Sequence, residues 1–370
     1  MPCDALYLHI PFCEAKCPYC DFYSVPASQG AMDAYLAALL RALEGCPEPL
    51  GPLDTVYFGG GTPSLWGGRR MGAVLEAVAR RFGIQAGAEI TAECNPHSAL
   101  PQELAAMAAA GVNRVSLGLQ SADEAQLRRL GRLHTAADVV QAVEQAGRAG
   151  IRHISLDLML ATPGQREADI HRAVALCGQL GVEHVSAYLL KVEPDTPFAR
   201  AHVERECPDE DGQAGLYLCA VAALEAGGWR QYEISNFARA GRVARHNLKY
   251  WDCREYLGVG PAAHSFTSGQ RRFFPRALGE FCAAQNPWAL WQADGPGGDW
   301  QEYVMLRARL AEGVVRQQLA ARYPGLDPAP LWARARRLPG HLVQVTEESI
   351  RLTPQGFLLS NPIIAALLEG

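Results

Sequence analysis

Six short aliphatic runs, each followed by a stretch rich in Ala, Leu and Arg, fill the first two-thirds of the chain. The runs are Ala5–Ile10, Thr55–Phe58, Glu89–Ala92, Arg114–Leu119, His153–Leu158 and His184–Leu189. Helical stretches lie between them, among them Met32–Leu43, Met71–Phe82, Pro101–Ala110, Thr135–Ala149 and Glu167–Leu180. Short strands alternating with helices of several turns predict βαβ units and a parallel sheet. With crossovers of one hand, six units curl into a barrel or most of one, so the expected fold class is α/β, a partial (β/α)6 barrel. Five runs lead directly into polar sets: His-Ile-Pro-Phe-Cys, Gly-Gly-Gly-Thr, Glu-Cys-Asn-Pro, Gln-Ser and Leu-Asp-Leu-Met. In α/β barrels the C-terminal strand ends build the active site.

The alternation fades after about Leu190. Gln213–Ala226 reads as a helix, and Gln231–Ser268 as an irregular segment carrying His246, Asn247, Tyr250, Trp251 and His264. Gln285–Asp299, rich in Pro and Gly, reads as a linker. Trp300–Gly370 reads as a small, mainly helical domain with a strand pair, in which Arg334–Arg337 is a solvated helix face. The expected organisation is a barrel core over 1–230, an extension over 231–284 and a C-terminal helical domain over 300–370.

The 370 residues are 49% hydrophobic and 20% charged, a globular composition, with a net charge of −5. A weakly acidic chain is a poor nonspecific binder of nucleic acid or lipid, so no nucleic-acid partner and at most peripheral membrane contact are expected. No apolar stretch approaches the ~18 residues of a membrane span. The start, MPCDALYLHIPFCEAKC, has neither a basic n-region nor a sustained apolar h-region, which predicts a reducing cytoplasm. In that setting eleven cysteines point to metal or redox chemistry rather than a disulfide scaffold.

Cys13-x3-Cys17-x2-Cys20 follows the first strand directly. Three thiolates on one short loop can converge on a metal centre. Zinc sites commonly pair such a loop with a distant second pair of ligands, and none follows here. A four-iron cluster accepts these spacings, and three ligands leave one iron open. A zinc-stabilised α/β protein is the plainer alternative. Of the remaining cysteines, Cys94, Cys177 and Cys219 read as small core hydrophobes.

The stretch from His9 to Phe22 resembles the radical S-adenosylmethionine (SAM) proteins, and more narrowly the group around oxygen-independent coproporphyrinogen oxidase. The resemblance continues through Gly59-Gly60-Gly61-Thr62-Pro63-Ser64, Glu93-Cys94-Asn95-Pro96, Gly118-Leu119-Gln120-Ser121, Asp157, Pro163-Gly164-Gln165 and His246-Asn247-Leu248-Lys249-Tyr250-Trp251. Phe22 stands where the oxidases carry a further cysteine, and their extension ahead of the first strand has no counterpart. The complete HNxxYW motif is similar to the HemW-type heme chaperones, the favoured branch.

The resemblance implies a [4Fe-4S] cluster on Cys13, Cys17 and Cys20. It implies SAM contacts from Tyr7, Gly60, Gly61, Thr62, Glu93, Gln120, Arg132 and Asp157, with Tyr19 ranked lower. It implies heme ligated by His246, with His264 the second choice and Arg245 and Lys249 near the propionates. The glycine turn would let backbone approach SAM closely. The implied function is binding of heme and its transfer to apoproteins, with electrons from a separate donor. The alternative is decarboxylation of coproporphyrinogen, which Phe22 argues against. One departure stands out: where the family has an aromatic and a Gly before Pro-Gly-Gln, this chain has Met159-Leu160-Ala161-Thr162.

Overall fold

The computed structural model describes residues 3–369. Strands β1 (Cys3–Ile10), β2 (Leu50–Gly60), β3 (Ile84–Cys94), β4 (Arg114–Gln120), β5 (His153–Leu160) and β6 (His184–Leu189) lie side by side in chain order, all parallel. All six expected strands are present. Helices α1 (Gln29–Glu44), α2 (Gly68–Arg81), α3 (Pro101–Ala109), α4 (Ala136–Arg148) and α5 (Glu167–Gln179) connect them. α4 shows why they form. Thr135 and Asp138 make a capping box at its start, and Val139, Ala142, Val143 and Ala146 give one buried stripe at helical spacing.

The segment after α6 (Glu210–Ala226) completes both edges of the sheet. β8 (Asn236–Ala238) runs antiparallel to β6, with Asn236 opposite Ser186, and β7 (Arg230–Gln231) runs antiparallel to β8 at the edge. β9 (Leu257–Val259) joins β1 in parallel, with Leu257 opposite Leu6. The chain that crosses from one edge to the other contains the helix α7 (Arg245–Trp251). Residues 230–284 therefore supply three strands of the nine-stranded sheet.

The expected linker is not a linker. Gln292–Pro296 forms β12 of a three-stranded antiparallel sheet with β10 (His264–Thr267) and β11 (Gln270–Phe273). Gly295 and Pro296 sit at the end of an edge strand, where a missing N–H costs no ladder bond. The last seventy residues form helices around three short strands, one more than the expected pair. Their buried residues, among them Trp332, Ile350 and Ile364, belong to the same apolar cluster as the barrel. Among the described residues no helix is long and apolar enough to cross a membrane.

α7 lies across the N-terminal ends of the barrel strands. Glu89, in β3, accepts the backbone N–H groups of Arg245 (3.1 Å) and His246 (2.9 Å), a carboxylate placed at the positive end of the helix. Lys249 is only 3% exposed and reaches Asp4 and Asp54, each at 2.8 Å. Burial would raise the Asp54 carboxyl, but Lys249, Arg245 and Arg254 outweigh it and hold it below its ordinary value.

Lys249→Met leaves Asp4 and Asp54 without their shared cation. Urea unfolding at neutral pH should show a loss of about 3 kcal/mol, the low end for breaking a buried pair. Asp54 titrates lower in the folded state, so this contribution is complete above the ordinary carboxylate value and is lost as pH falls below it, through the lowered folded value. The gap between variant and wild type should therefore close in acid.

Candidate functional site

β1 ends in a chain excursion pinned at its base. Phe12–Cys13 pairs with Val25–Pro26, and the Cys20 N–H donates to the Cys17 carbonyl at 3.1 Å. The glycine turn after β2 holds the start of this loop. Gly61 N–H donates to the Ile10 carbonyl at 2.8 Å, and Thr62 N–H to the Phe12 carbonyl at 2.7 Å. Glu93, at the end of β3, ties in the same turn. One carboxylate oxygen accepts from Gly60 N–H at 3.0 Å and the other from the Tyr57 hydroxyl at 2.9 Å. Burial pushes the Glu93 carboxyl up to about 7.

The glycines of this turn answer first to the protein. Gly60 has φ +114°, and a Cβ there would lie 2.5 Å from the His9 ring. A Cβ on Gly61 would meet the Phe12 carbonyl oxygen at 2.7 Å. Close approach to β1 and the cysteine loop already requires them, whatever they also present to a ligand.

A cavity of about 590 Å³ runs inside the barrel. Cys13, Cys17, Cys20, Tyr19, Gly60, Gly61, Thr62, Glu93, Gln120, Arg132 and Asp157 all line it. Arg132 is turned inward: its Nη1 lies 3.4 Å from Cys17 Sγ and 3.5 Å from the Tyr19 hydroxyl, and its buried Nε has no partner. Cys13 Sγ lies 3.5 Å from Thr62 Oγ1. Asp157 accepts the Ser116 hydroxyl at 3.0 Å, and burial raises its carboxyl. Gln120 has φ +62°, a left-handed conformation that costs a non-glycine residue about 1–2 kcal/mol. Strain of this kind collects at ligand sites.

Two expected residues are not at this cavity. Tyr7 packs on Tyr57, and its hydroxyl pairs with His9 Nδ1 at 3.0 Å. His246 is 1% exposed, with Nδ1 2.8 Å from Thr55 Oγ1, Nε2 2.8 Å from the Tyr250 hydroxyl, and its ring stacked on Tyr57. Burial lowers its pKa to about 3. The imidazole is neutral, as a heme ligand must be, but neither nitrogen is free for iron in this arrangement. Its neighbour Asn247 is the motif residue that lines the cavity. Lys249 and Arg245 are committed to Asp4, Asp54 and the Gly87 carbonyl. His264 is exposed and stacks on Phe273.

The sequence reading missed most of the barrel interior. Thr91, Arg114, Ser116, Ser155, His184, Ser186 and Tyr188 also line the cavity. Thr91, Arg114, Ser116 and Ser155 fall two, four or six positions from expected residues on the same strands, and His184, Ser186 and Tyr188 keep the same period on β6, where none was expected. Their strand neighbours Val115, Leu117 and Leu156 are fully buried on the other face. Ala161, in the departing loop, takes φ +56°, where the family's Gly is unstrained. Gln165 closes that loop on Ala161 N–H (2.7 Å) and the Met159 carbonyl (2.9 Å). Cys94 and Cys177 are core residues, whereas Cys219 is partly exposed, 3.7 Å from His171 Nε2.

The donor set fits the group expected at the loop: three soft thiols on one cavity wall, with a guanidinium beside one of them. Among the described residues no three His, Cys, Asp or Glu side chains converge on a single ion. Cluster thiolates bind different irons and need no such convergence.

The Radical SAM superfamily profile matches residues 7–177. A protein named heme chaperone HemW from Mycobacterium tuberculosis (strain ATCC 25618 / H37Rv) is 37% identical over 98% of this chain and 94% of its own length. Heme chaperone HemW from Escherichia coli (strain K12) is 36% identical over 88% of this chain and 87% of its own. A mitochondrial radical S-adenosyl methionine domain-containing protein 1 from Bos taurus is 41% identical over 74% of this chain and 62% of its own. The solved structure of coproporphyrinogen III oxidase (HemN) from Escherichia coli superimposes with a TM-score of 0.83, covering 99% of this chain and 90% of that one at 19% identity. That likeness is one of fold.

Gly61→Ala should cost about 1–3 kcal/mol of stability, because its Cβ meets backbone that cannot move aside. A lower melting temperature with no ligand present checks this. Glu93→Gln should flatten the pH dependence of stability. A carboxyl with a raised folded pKa stabilises fully below its unfolded value near 4.5, and loses that contribution as pH rises to about 7. Relative to wild type, the variant should gain up to about 3 kcal/mol across that window, read by denaturant unfolding at each pH.

Proposed function

The chain belongs to the HemW family of heme chaperones within the radical SAM superfamily, and we propose from that premise that it binds heme, carries a SAM-associated [4Fe-4S] cluster and passes heme to apoproteins. The observation that carries the reading is 37% identity to a named heme chaperone along 98% of the chain, joined to three thiols on one cavity wall. Cys13, Cys17 and Cys20 hold the cluster. Gly60, Gly61 and Thr62 present backbone to SAM, with Glu93, Gln120, Arg132, Asp157 and Tyr19 around it. When bound, the cluster supplies an electron to the SAM sulfonium. Arg132 is the fixed cation beside the thiols, and the Glu93 carboxyl, poised near neutrality, can meet an ammonium.

The division into a barrel core over 1–230, a floor extension over 231–284 and a C-terminal helical part over 300–370 is proposed with it. So is a separate electron donor. Coproporphyrinogen decarboxylation is not expected, since Phe22 occupies the position of the oxidases' extra cysteine and stands 69% exposed on the cavity wall.

For His246 to ligate heme, it must give up the hydrogen bonds to Thr55 and Tyr250. The exposed His264 needs no such change, and this observation favours it as a second reading.

Anaerobic reconstitution should give four irons per chain, lost in Cys17→Ser because a hydroxyl poorly replaces a soft thiolate. The same protein should bind heme and leave coproporphyrinogen unchanged in the presence of SAM and reductant. Turnover of coproporphyrinogen, or wild type that takes up no heme, overturns the reading. An altered Soret band in His264→Ala but not in His246→Ala would move the ligand to β10.

A further inference from the structure

Gly60 and Gly61 are glycines because a Cβ would strike the His9 ring or backbone. Gly118 is a different case. It faces the cavity from β4, opposite Asp157 of β5, and its φ is not positive, so the backbone conformation does not call for glycine. The three atoms nearest to a Cβ built there all belong to side-chain ends. They are Gln120 Nε2 at 2.7 Å, Arg132 Nη2 at 2.9 Å and the Arg132 guanidinium carbon at 3.8 Å.

Both ends are brought to this spot by the local chain path. β4 shifts register between Gly118 and Gln120, and Gln120 takes φ +62°. An irregularity of this kind re-aims a side chain, and here the Gln120 amide returns over Gly118. Arg132 comes from the segment between β4 and α4. Its Nη2 rests over Gly118, while Nη1 lies 3.4 Å from Cys17 Sγ and 3.5 Å from the Tyr19 hydroxyl. The guanidinium is thus seated between a cysteine of the loop and a strand residue without a side chain. A methyl group at 118 would occupy that seat. Nη1 is already in contact on the loop side, so the guanidinium has no room to retreat toward Cys17 and must swing out of place.

We propose that Gly118 is a positioning residue for the cysteine loop: the side chain it lacks is the space that seats the Arg132 guanidinium against Cys17. The proposal rests on the reading above in which Cys17 holds a [4Fe-4S] cluster. In that setting Arg132 is a fixed positive charge and donor beside a cluster sulfur, and charge and hydrogen bonds at the sulfurs set a cluster's potential. Reduction adds negative charge, which a nearby cation stabilises, so a seated Arg132 raises the potential.

The test is a redox titration of the reconstituted protein without SAM, in wild type, Gly118→Ala, Arg132→Met and the double variant. Arg132→Met should lower the midpoint potential, and Gly118→Ala should lower it in the same direction. In the Arg132→Met background Gly118→Ala should change nothing further, because its target is gone. Only flexible side-chain ends stand in the way of the new methyl, and Gly is the poorer residue in a strand, so Gly118→Ala should melt no lower than wild type. An unchanged potential in either single variant overturns the proposal. So does a Gly118→Ala shift that persists in the double variant, or a lowered melting temperature, which would make the glycine a structural one. Wild type that takes up no four-iron cluster overturns the cluster reading instead. The crystal structure of cluster-free Gly118→Ala then decides, and Arg132 still in contact with Cys17 overturns the proposal.

Discussion

The grip of the glycine turn on the start of the cysteine loop is the constraint from which the rest of the site follows. Two backbone hydrogen bonds, from Gly61 to Ile10 and from Thr62 to Phe12, fix the end of β2 against the end of β1. Glu93 then fixes the end of β3 to the same turn through Gly60. Three strand ends are thereby locked at one height, and Cys13 leaves β1 from a defined point. A side chain on Gly60 or Gly61 would displace β1 or the loop before it reached any ligand. Backbone packing alone thus imposes these residues here.

The barrel is apolar outside and polar inside. Along β4 the residues alternate Arg114, Ser116, Gly118 and Gln120 toward the cavity with Val115, Leu117 and Leu119 toward the helices. Two half-buried carboxyls, Glu93 and Asp157, and two inward arginines, Arg114 and Arg132, share that interior. Groups of this kind are expensive to bury unless they pair or meet a ligand. Some do pair, as Asp157 does with Ser116, but Arg114, Arg132 and Thr91 each keep a polar atom unused. A barrel built only for stability fills its interior with Val, Ile and Leu layers. This one keeps open space there and spends its apolar residues on the outside.

Much of the architecture was legible because it is periodic. Each of the six strands declares itself as an aliphatic run, and α4 as a capped amphipathic stripe. The cluster loop was legible because three cysteines within eight residues have few structural uses. The inward polar residues were legible in principle: Ser155 lies two positions before Asp157, and Thr91 two before Glu93. They went unread because single serines and threonines in a strand resemble ordinary polar positions. The edge strand Gln292–Pro296 was hidden by its Gly and Pro, which signal a loop unless a partner strand is known. α7 carries no period to read, since seven residues make barely two turns and its fixing groups, Asp4, Asp54 and Glu89, are remote in sequence.

The HNxxYW segment shows how a family motif can be recognised while its physical task stays concealed. Its residues divide the work at the barrel floor. His246 bonds Thr55 and stacks on Tyr57, Lys249 joins Asp4 to Asp54, and Tyr250 closes on His246. Only Asn247 turns to the cavity. The motif therefore stoppers the end of the barrel opposite the cysteines, and its charges neutralise acidic residues on β1 and β2. Thr55, which holds His246, lies two residues before Tyr57, whose hydroxyl holds Glu93. A continuous line of hydrogen bonds and stacked rings thus runs from the floor helix through β2 to the glycine turn. A movement that freed His246 would remove one of the two rings stacked on Tyr57, leaving Tyr7 on the other and the Tyr57–Glu93 bond to hold the turn.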